Sequence, residues 1–324
     1  MKPPFSVIFL TTLIGVGQGL FLALYAGQLY SFLDLIPNQD SHDFYAVGSL
    51  IVMLFLVGGL IASFFHLGHP ERAWRAASQW RTSWLSREVI ALPAFMGVVF
   101  IYGVCHWFNW HPLVLDLSDT YHVDFTLLLG AVGVLLSFVL FICTGMIYAC
   151  LRFMQEWHTP LTPLNFILFG GASGFLAASV FSSFSAPELT RFFAGWAITL
   201  TILAMLSRSF TLLRNARIRP KSTMSTAIGV KHPHIVQISP GSMGGSFNTR
   251  AFFHGMSGRF MRMIKPAFIL FSFVLPLILM ATGMTSATAL ITAFIFQYLG
   301  LLAERWFFFA EANHPQNLYY KRIA

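Results

Sequence analysis

The chain of 324 residues is 56% hydrophobic and only 10% charged, with 35 phenylalanines and a mean hydropathy of +0.69. A soluble domain carries about 25% charged residues, so a soluble globular fold is excluded, as are a disordered chain and a coiled coil. Its three cysteines, Cys105, Cys143 and Cys150, lie in apolar runs with no Cys-x-x-Cys spacing, which excludes a disulfide scaffold.

A bilayer core takes about 20 apolar residues per helix, and eight runs of that kind follow one another, roughly at 6–30, 44–67, 88–108, 123–150, 162–184, 191–213, 265–283 and 286–310. The expected fold class is therefore an all-α integral membrane protein, a bundle of eight transmembrane helices. A barrel would show short alternating segments instead. The first run opens on Pro3, Pro4 and Phe5 after Lys2 and lacks a cleavage site followed by a polar domain, so it reads as a retained helix. Within it, Gly15, Gly17, Gln18 and Gly19 thin the helix, for close packing or for a ligand against the backbone. The second run ends in His66-Leu67-Gly68-His69-Pro70-Glu71-Arg72, and the third opens on Trp84-Leu85-Ser86-Arg87-Glu88. Pro160, Pro163 and Pro187 fall at run boundaries, whereas Pro93 and Pro276 lie inside runs and predict kinks. Residues 214–264 form the single large loop, basic at first and then Gly- and Ser-rich, either a docking surface for a cytoplasmic partner or a solvated linker. Late in the eighth run stands Glu304-Arg305-Trp306, where Glu304 is placed to pair with Arg208 at the end of the sixth.

Eight spans put both termini and the even-numbered loops on one side. That side then holds 19 of the 20 Lys and Arg, leaving only Arg191 opposite. Asp34, Asp40, Asp43, Asp116, Asp119, Asp124 and Glu188 belong to the other side. The positive-inside rule assigns the basic side to the cytoplasm, an N-in/C-in topology in a bacterial inner membrane. The net charge of +8 is thus a topological signal and does not point to nucleic acid.

Ionisable groups at or inside the hydrocarbon region are costly and mark candidate sites. The densest group brackets the second loop, where His66 and Glu88 share the cytoplasmic face. A quinone takes up two electrons and two protons; a histidine or carboxylate beside its carbonyl oxygens relays protons, and Arg72, Arg75 or Arg87 stabilises developing negative charge. Trp74, Trp80 and Trp84 are placed to pack on the ring. The bland reading of the same residues is an aromatic belt, a helix cap at Glu88 and topological arginines. Gln18, Arg208, Glu304 and Arg305 are secondary candidates, as a structural ion pair or a proton path. A bis-histidine haem needs imidazoles on facing helices at one depth; His66 and His106 sit near opposite edges, so no haem is expected. Nor is a metal expected, although His106, His111, His122, Asp116 and Asp119 gather on the outer side without a ligand spacing.

Five segments, HLGHPERAW (66–74), SWLSRE (83–88), YACLRFMQEWHTPLTPLNF (148–166), SMGGSFNTRAFFHG (242–255) and ERWFFFAEANHPQNLYY (304–320), together resemble the membrane anchor subunits of molybdopterin enzymes of the DMSO reductase type. The resemblance covers nearly the whole chain. It implies an eight-helix anchor without haem that binds ubiquinone or menaquinone and docks an iron–sulfur subunit, which in turn contacts the molybdopterin catalytic subunit. The family's quinone-site histidine matches His66 and its functional glutamate matches Glu88. Within the family, the opening from Pro4 to Tyr25 looks more like the cytoplasmic-facing, sulfite-oxidising branch than the enterobacterial DMSO reductase anchors. The implied function is to pass electrons from sulfite oxidation to quinone. The alternatives are an anchor that oxidises quinol for reduction of DMSO or a related S- or N-oxide, a secondary transporter, which should show two half-repeats, and a purely structural tether.

Overall fold

A computed structural model describes residues 1–116, 122–219, 223–232, 234–235 and 251–315. Asp119, residues 220–222, 233 and 236–250 of the 214–264 loop, which take in its Gly- and Ser-rich part, and parts of the last two motifs, 242–250 and 316–320, lie outside the described residues.

Among the described residues eight helices are long and apolar enough to cross a membrane. They are α1 (Phe5–Phe32), α2 (Ser41–Phe64), α3 (Trp84–Trp107), α4 (Phe125–Ala149), α5 (Leu161–Ser185), α6 (Thr190–Ala216), α7 (Gly258–Thr282) and α8 (Ala287–Glu311). In lipid every backbone donor must be satisfied within its own segment, which is why near-continuous apolar sequence becomes helix here. Starts that emerge from polar loops are capped: Ser83, Asp124, Ser257 and Ser286 each accept from the backbone N–H three residues on. Helix α3 runs unbroken through Pro93, whereas α7 absorbs Pro276 in a widened turn over Leu270–Val274. There the proline supplies no N–H and its ring crowds the carbonyl one turn back. The multi-pass membrane character follows from these eight apolar helices.

Helices α1 and α5 form the buried pair of the bundle, with 72% and 67% of their apolar windows buried against 28% for α2 and α7. Glycines make that pairing possible. A Cβ on Gly19 would overlap the Gly170 carbonyl, and one on Gly174 would overlap the backbone of Gly19 and Leu20. Because the obstruction is backbone, no rotamer change relieves it. Gly19→Ala is expected to lower stability by about 1–3 kcal/mol, read as a lower unfolding midpoint in detergent; an unchanged midpoint would remove the α1–α5 seam from the packing argument.

At one end of the bundle the chain start, the α4–α5 loop and the ends of α6 and α8 are tied together. Trp157 Nε1 donates to Phe308 O at 3.0 Å, Asn215 Nδ2 to Glu311 Oε2 at 3.2 Å, and the Met1 ammonium to Ala312 O at 3.0 Å. The other end carries a small antiparallel hairpin, Leu113–Asp116 with His122–Asp124, between α3 and α4.

Candidate functional site

Ser83, and not Glu88, caps α3, so the Glu88 side chain leaves the second helical turn and is partly buried. Thr144 Oγ1 on α4 donates to Glu88 Oε1 at 2.5 Å. Both residues line a narrow internal cavity together with Gln18 of α1, Phe141 of α4, Phe166 of α5 and Arg305 of α8. Its free space takes about one water molecule. Gln18 is held in place by donating from Nε2 to the Ser137 carbonyl at 2.8 Å.

Arg305 is almost fully enclosed, in a cluster of two arginines and two glutamates. Its Nε lies 2.7 Å from Glu304 Oε2, and Arg208 Nε lies 2.8 Å from the other oxygen, Glu304 Oε1. All three residues are 1–3% exposed. Two guanidiniums thus share one carboxylate inside the bundle; Glu311 stands further off, 3.9 Å from Arg208 Nη2. Phe166 lies 4.1 Å from the Arg305 guanidinium, ring centroid to Cζ, and supplies a π face in place of water. Arg305 Nη1 is buried and has no hydrogen-bond partner among the described residues.

On the outer face of the same α3–α4 seam runs an open apolar groove of about 400 Å³, lined by Trp80, Trp84, Arg87, Ala94, Val139 and Cys143 among others. Arg87 stands 4.2 Å from the Trp84 ring centroid and donates to the carbonyls of Trp80 at 2.9 Å and Arg81 at 2.7 Å. Arg87 and Cys143 are chain neighbours of Glu88 and Thr144, so groove and cavity are the two faces of one helix contact.

The remaining candidates of the second loop sit outside this constellation. Helix α2 ends at Phe64, which leaves His66 in the following turn, exposed and not lining the Glu88 cavity. Desolvation holds the His66 imidazole below the ordinary histidine pKa, so it is neutral at pH 7. Arg72, Arg75 and Trp74 belong to the short 3-10 helix Pro70–Gln79, where Trp74 is 71% exposed with Arg75 5.6 Å from its ring centroid. Sequence reasoning missed Thr144, Phe141 and Phe166. A threonine or phenylalanine in an apolar run carries no signal of its own, and only the helix azimuths make these residues neighbours.

A second polar pocket, of about 240 Å³, opens at the hairpin end and is lined by residues that include Gln28, Ser41, Tyr45, His106, His111 and Asp124. Ser41 Oγ bridges His106 Nδ1 at 2.7 Å and His111 Nε2 at 2.9 Å, while Gln28 joins Tyr102 to Thr126. No group of three His, Cys, Asp or Glu is arranged to hold a metal among the described residues. Between the two polar compartments lies an apolar layer in which Leu20, Phe21, Phe95, Val99 and Leu140 are completely buried. Phe21 packs edge-on against Phe95 and against Tyr102, both at 5.4 Å. From Gln18 to Gln28 the layer is about 15 Å deep at 1.5 Å per helical residue.

Comparison with known proteins places this geometry in a family. A model described as DMSO reductase anchor subunit (DmsC) matches residues 1–310. A sulfite dehydrogenase subunit of Allochromatium vinosum is 53% identical over 326 aligned positions that cover all of both chains. The chain therefore belongs to the DMSO reductase anchor subunit family, the membrane anchors of molybdoenzyme-type complexes.

Proposed function

We propose that this anchor passes electrons between an iron–sulfur subunit and the quinone pool while a molybdopterin subunit oxidises sulfite to sulfate. The observation that carries the reading is Glu88, a carboxyl in a lipid-facing helix, bonded to Thr144 and sharing a cavity with the Arg305 cation. Such a group has no packing value that an apolar residue would not supply better, and its cost is met where proton-coupled chemistry needs it. The charge asymmetry supports a bacterial inner-membrane topology with both termini and the basic loops in the cytoplasm, where the iron–sulfur partner docks. The name of the Allochromatium relative supports sulfite as the electron source.

The inner cavity takes only about one water molecule, so the headgroup belongs in the α3–α4 groove, entered laterally from lipid, with Glu88 behind it. Quinone plus two electrons from the iron–sulfur subunit and two protons gives quinol. Glu88 donates one proton and is reprotonated from the cytoplasmic side. Arg87, which lines the groove, and the enclosed Arg305 favour the negative charge that builds on the quinone oxygen. His66, neutral at pH 7, stands at the aqueous edge as a proton exchanger. The family description also names DMSO reductase, which supports the same site run in reverse, oxidising quinol for an S- or N-oxide.

The test is gentle purification of the tagged chain from its native membrane. Two larger subunits with molybdenum and iron, and reduction of quinone that depends on sulfite, are expected. Quinol-dependent S-oxide reduction without sulfite turnover would select the reverse reading, and a chain that purifies alone and metal-free would overturn both.

A further inference from the structure

We infer that the pocket at the hairpin end is a second ligand site, one that takes a hydroxyl-bearing aromatic ring and holds a hydroquinone in preference to the oxidised quinone. The choice of ligand rests on the reading above, in which quinone and hydroquinone are the molecules this chain handles; the site itself does not. What carries it is a bare acceptor in the pocket wall. His106 lines the pocket, is 2% exposed, and its Nε2 has no hydrogen-bond partner among the described residues. An interior polar atom is left unmet by protein only where water or a ligand meets it. The imidazole is held in place, stacked on Tyr45 at 4.8 Å and edge-on to Tyr102 at 4.5 Å between ring centroids.

The surrounding hydrogen bonds decide what that nitrogen offers. Asp124 Oδ1 accepts from the Leu127 N–H at 2.7 Å and from the Thr126 hydroxyl at 2.9 Å, and Thr126 Oγ1 in turn accepts from Gln28 Nε2 at 2.9 Å. With the Thr126 hydrogen committed, His111 Nδ1 faces only acceptors, Thr126 Oγ1 at 3.4 Å and Asp124 Oδ2 at 3.7 Å, and so carries the hydrogen of its ring. His111 Nε2 is then a lone pair. The Ser41 hydroxyl donates to it at 2.9 Å, and Ser41 Oγ accepts from His106 Nδ1 at 2.7 Å. The hydrogen of His106 is thereby spent on Nδ1, which leaves Nε2 an acceptor.

An acceptor asks for a donor. A hydroquinone brings O–H groups, whereas the quinone of the same shape brings carbonyl oxygens and sets lone pair against lone pair. The pocket of about 240 Å³ has room for a substituted six-membered ring, since a cavity of about 150 Å³ already takes benzene. Phe32, Leu127 and the rings of Tyr45 and His111 give such a molecule faces to lie on, and Asn38 and Gln39 add polar edges. No Lys or Arg lines the pocket while Asp124 does, which disfavours an anion such as sulfite. Nor are three ligands arranged for a metal among the described residues.

The test uses the purified complex. Diethyl pyrocarbonate acylates an open imidazole nitrogen, and mass spectrometry reads the extent at His106. Duroquinol and duroquinone, a tail-less pair of one ring and nearly one shape, serve as competing probes under anaerobic conditions. His106 is expected to react when no probe is present, and duroquinol to halve that rate at a concentration at least about tenfold below the one duroquinone needs, the cost of leaving a buried acceptor unmatched. Ser41→Ala removes the acceptor that keeps the hydrogen on Nδ1, lets it move to Nε2, and should close most of the gap between the probes; a role in packing alone would not. If that variant does not accumulate, the native comparison still decides. Equal protection by the two probes, protection by neither, a preference unchanged in Ser41→Ala, or a His106 that does not react without probe overturns the inference. Protection should persist in Glu88→Gln, and its loss there would assign it to the α3–α4 groove instead. Undiminished quinone reduction in Glu88→Gln overturns the underlying reading, a separate readout from labelling at His106, so the two failures are distinct.

Discussion

A Glu88→Gln variant is expected to assemble with its partners and to reduce quinone at least about 100-fold more slowly, the usual contribution of a positioned general acid. Glutamine keeps the side-chain length and a carbonyl oxygen for the Thr144 hydroxyl, which now donates at 2.5 Å. What it loses is the exchangeable proton. The control is turnover of the catalytic subunit with an artificial soluble acceptor, which draws electrons before they reach the membrane and should stay near the native rate. A matching Thr144→Val variant separates geometry from proton supply: it frees the carboxyl without removing it, so its loss should be smaller. Equal quinone rates in native and Glu88→Gln complexes would take Glu88 out of the mechanism.

The second large effect concerns stability. Glu304→Ala removes the shared partner of Arg208 and Arg305 and leaves two guanidiniums, each 1–3% exposed, facing one another inside the bundle. Breaking a buried ion network from one side costs about 3–5 kcal/mol, because the cost is that of the stranded charges. In membranes this should appear as loss of folded protein and in detergent as a sharply lower unfolding midpoint. Exchanging all three residues together, Arg208→Met, Glu304→Met and Arg305→Met, should recover a large part of that loss, since an apolar replacement of similar volume strands nothing. If the single and triple variants unfold alike, the triad does not act as one electrostatic unit.

Much of the architecture was legible because membranes enforce simple rules. Eight apolar runs and the segregation of basic residues are properties of composition along the chain, and they do not depend on how helices rotate. The Arg208–Glu304 pair was legible for a related reason, since two opposite charges at matching depth have few other partners in lipid. What was not legible depends on azimuth and on helix ends to within a turn. His66 follows the C-terminal end of α2 and Glu88 lies near the N-terminal start of α3, on either side of one loop, but α2 stops two residues before His66 and leaves it exposed, while Glu88 lies one turn inside α3 and bonds to Thr144. The contact of Gly19 with Gly170 and Gly174 was visible only as a cluster of small residues whose partner helix no sequence pattern names. Phe141 and Phe166 became walls of a site only when α4 and α5 were packed.

The apolar layer between the two polar compartments bears on energy conservation. With Phe21, Phe95 and Leu140 completely buried between Glu88 and the hairpin pocket, a protein that handled protons only at the Glu88 end, as proposed, would stay an insulator across its thickness. On the proposed function, protons and electrons drawn from the same side would leave the ion gradient untouched, neither charged nor short-circuited. The free energy of that reaction would then be held wholly in the reduced carrier, to be converted to a gradient by whichever enzyme next oxidises it.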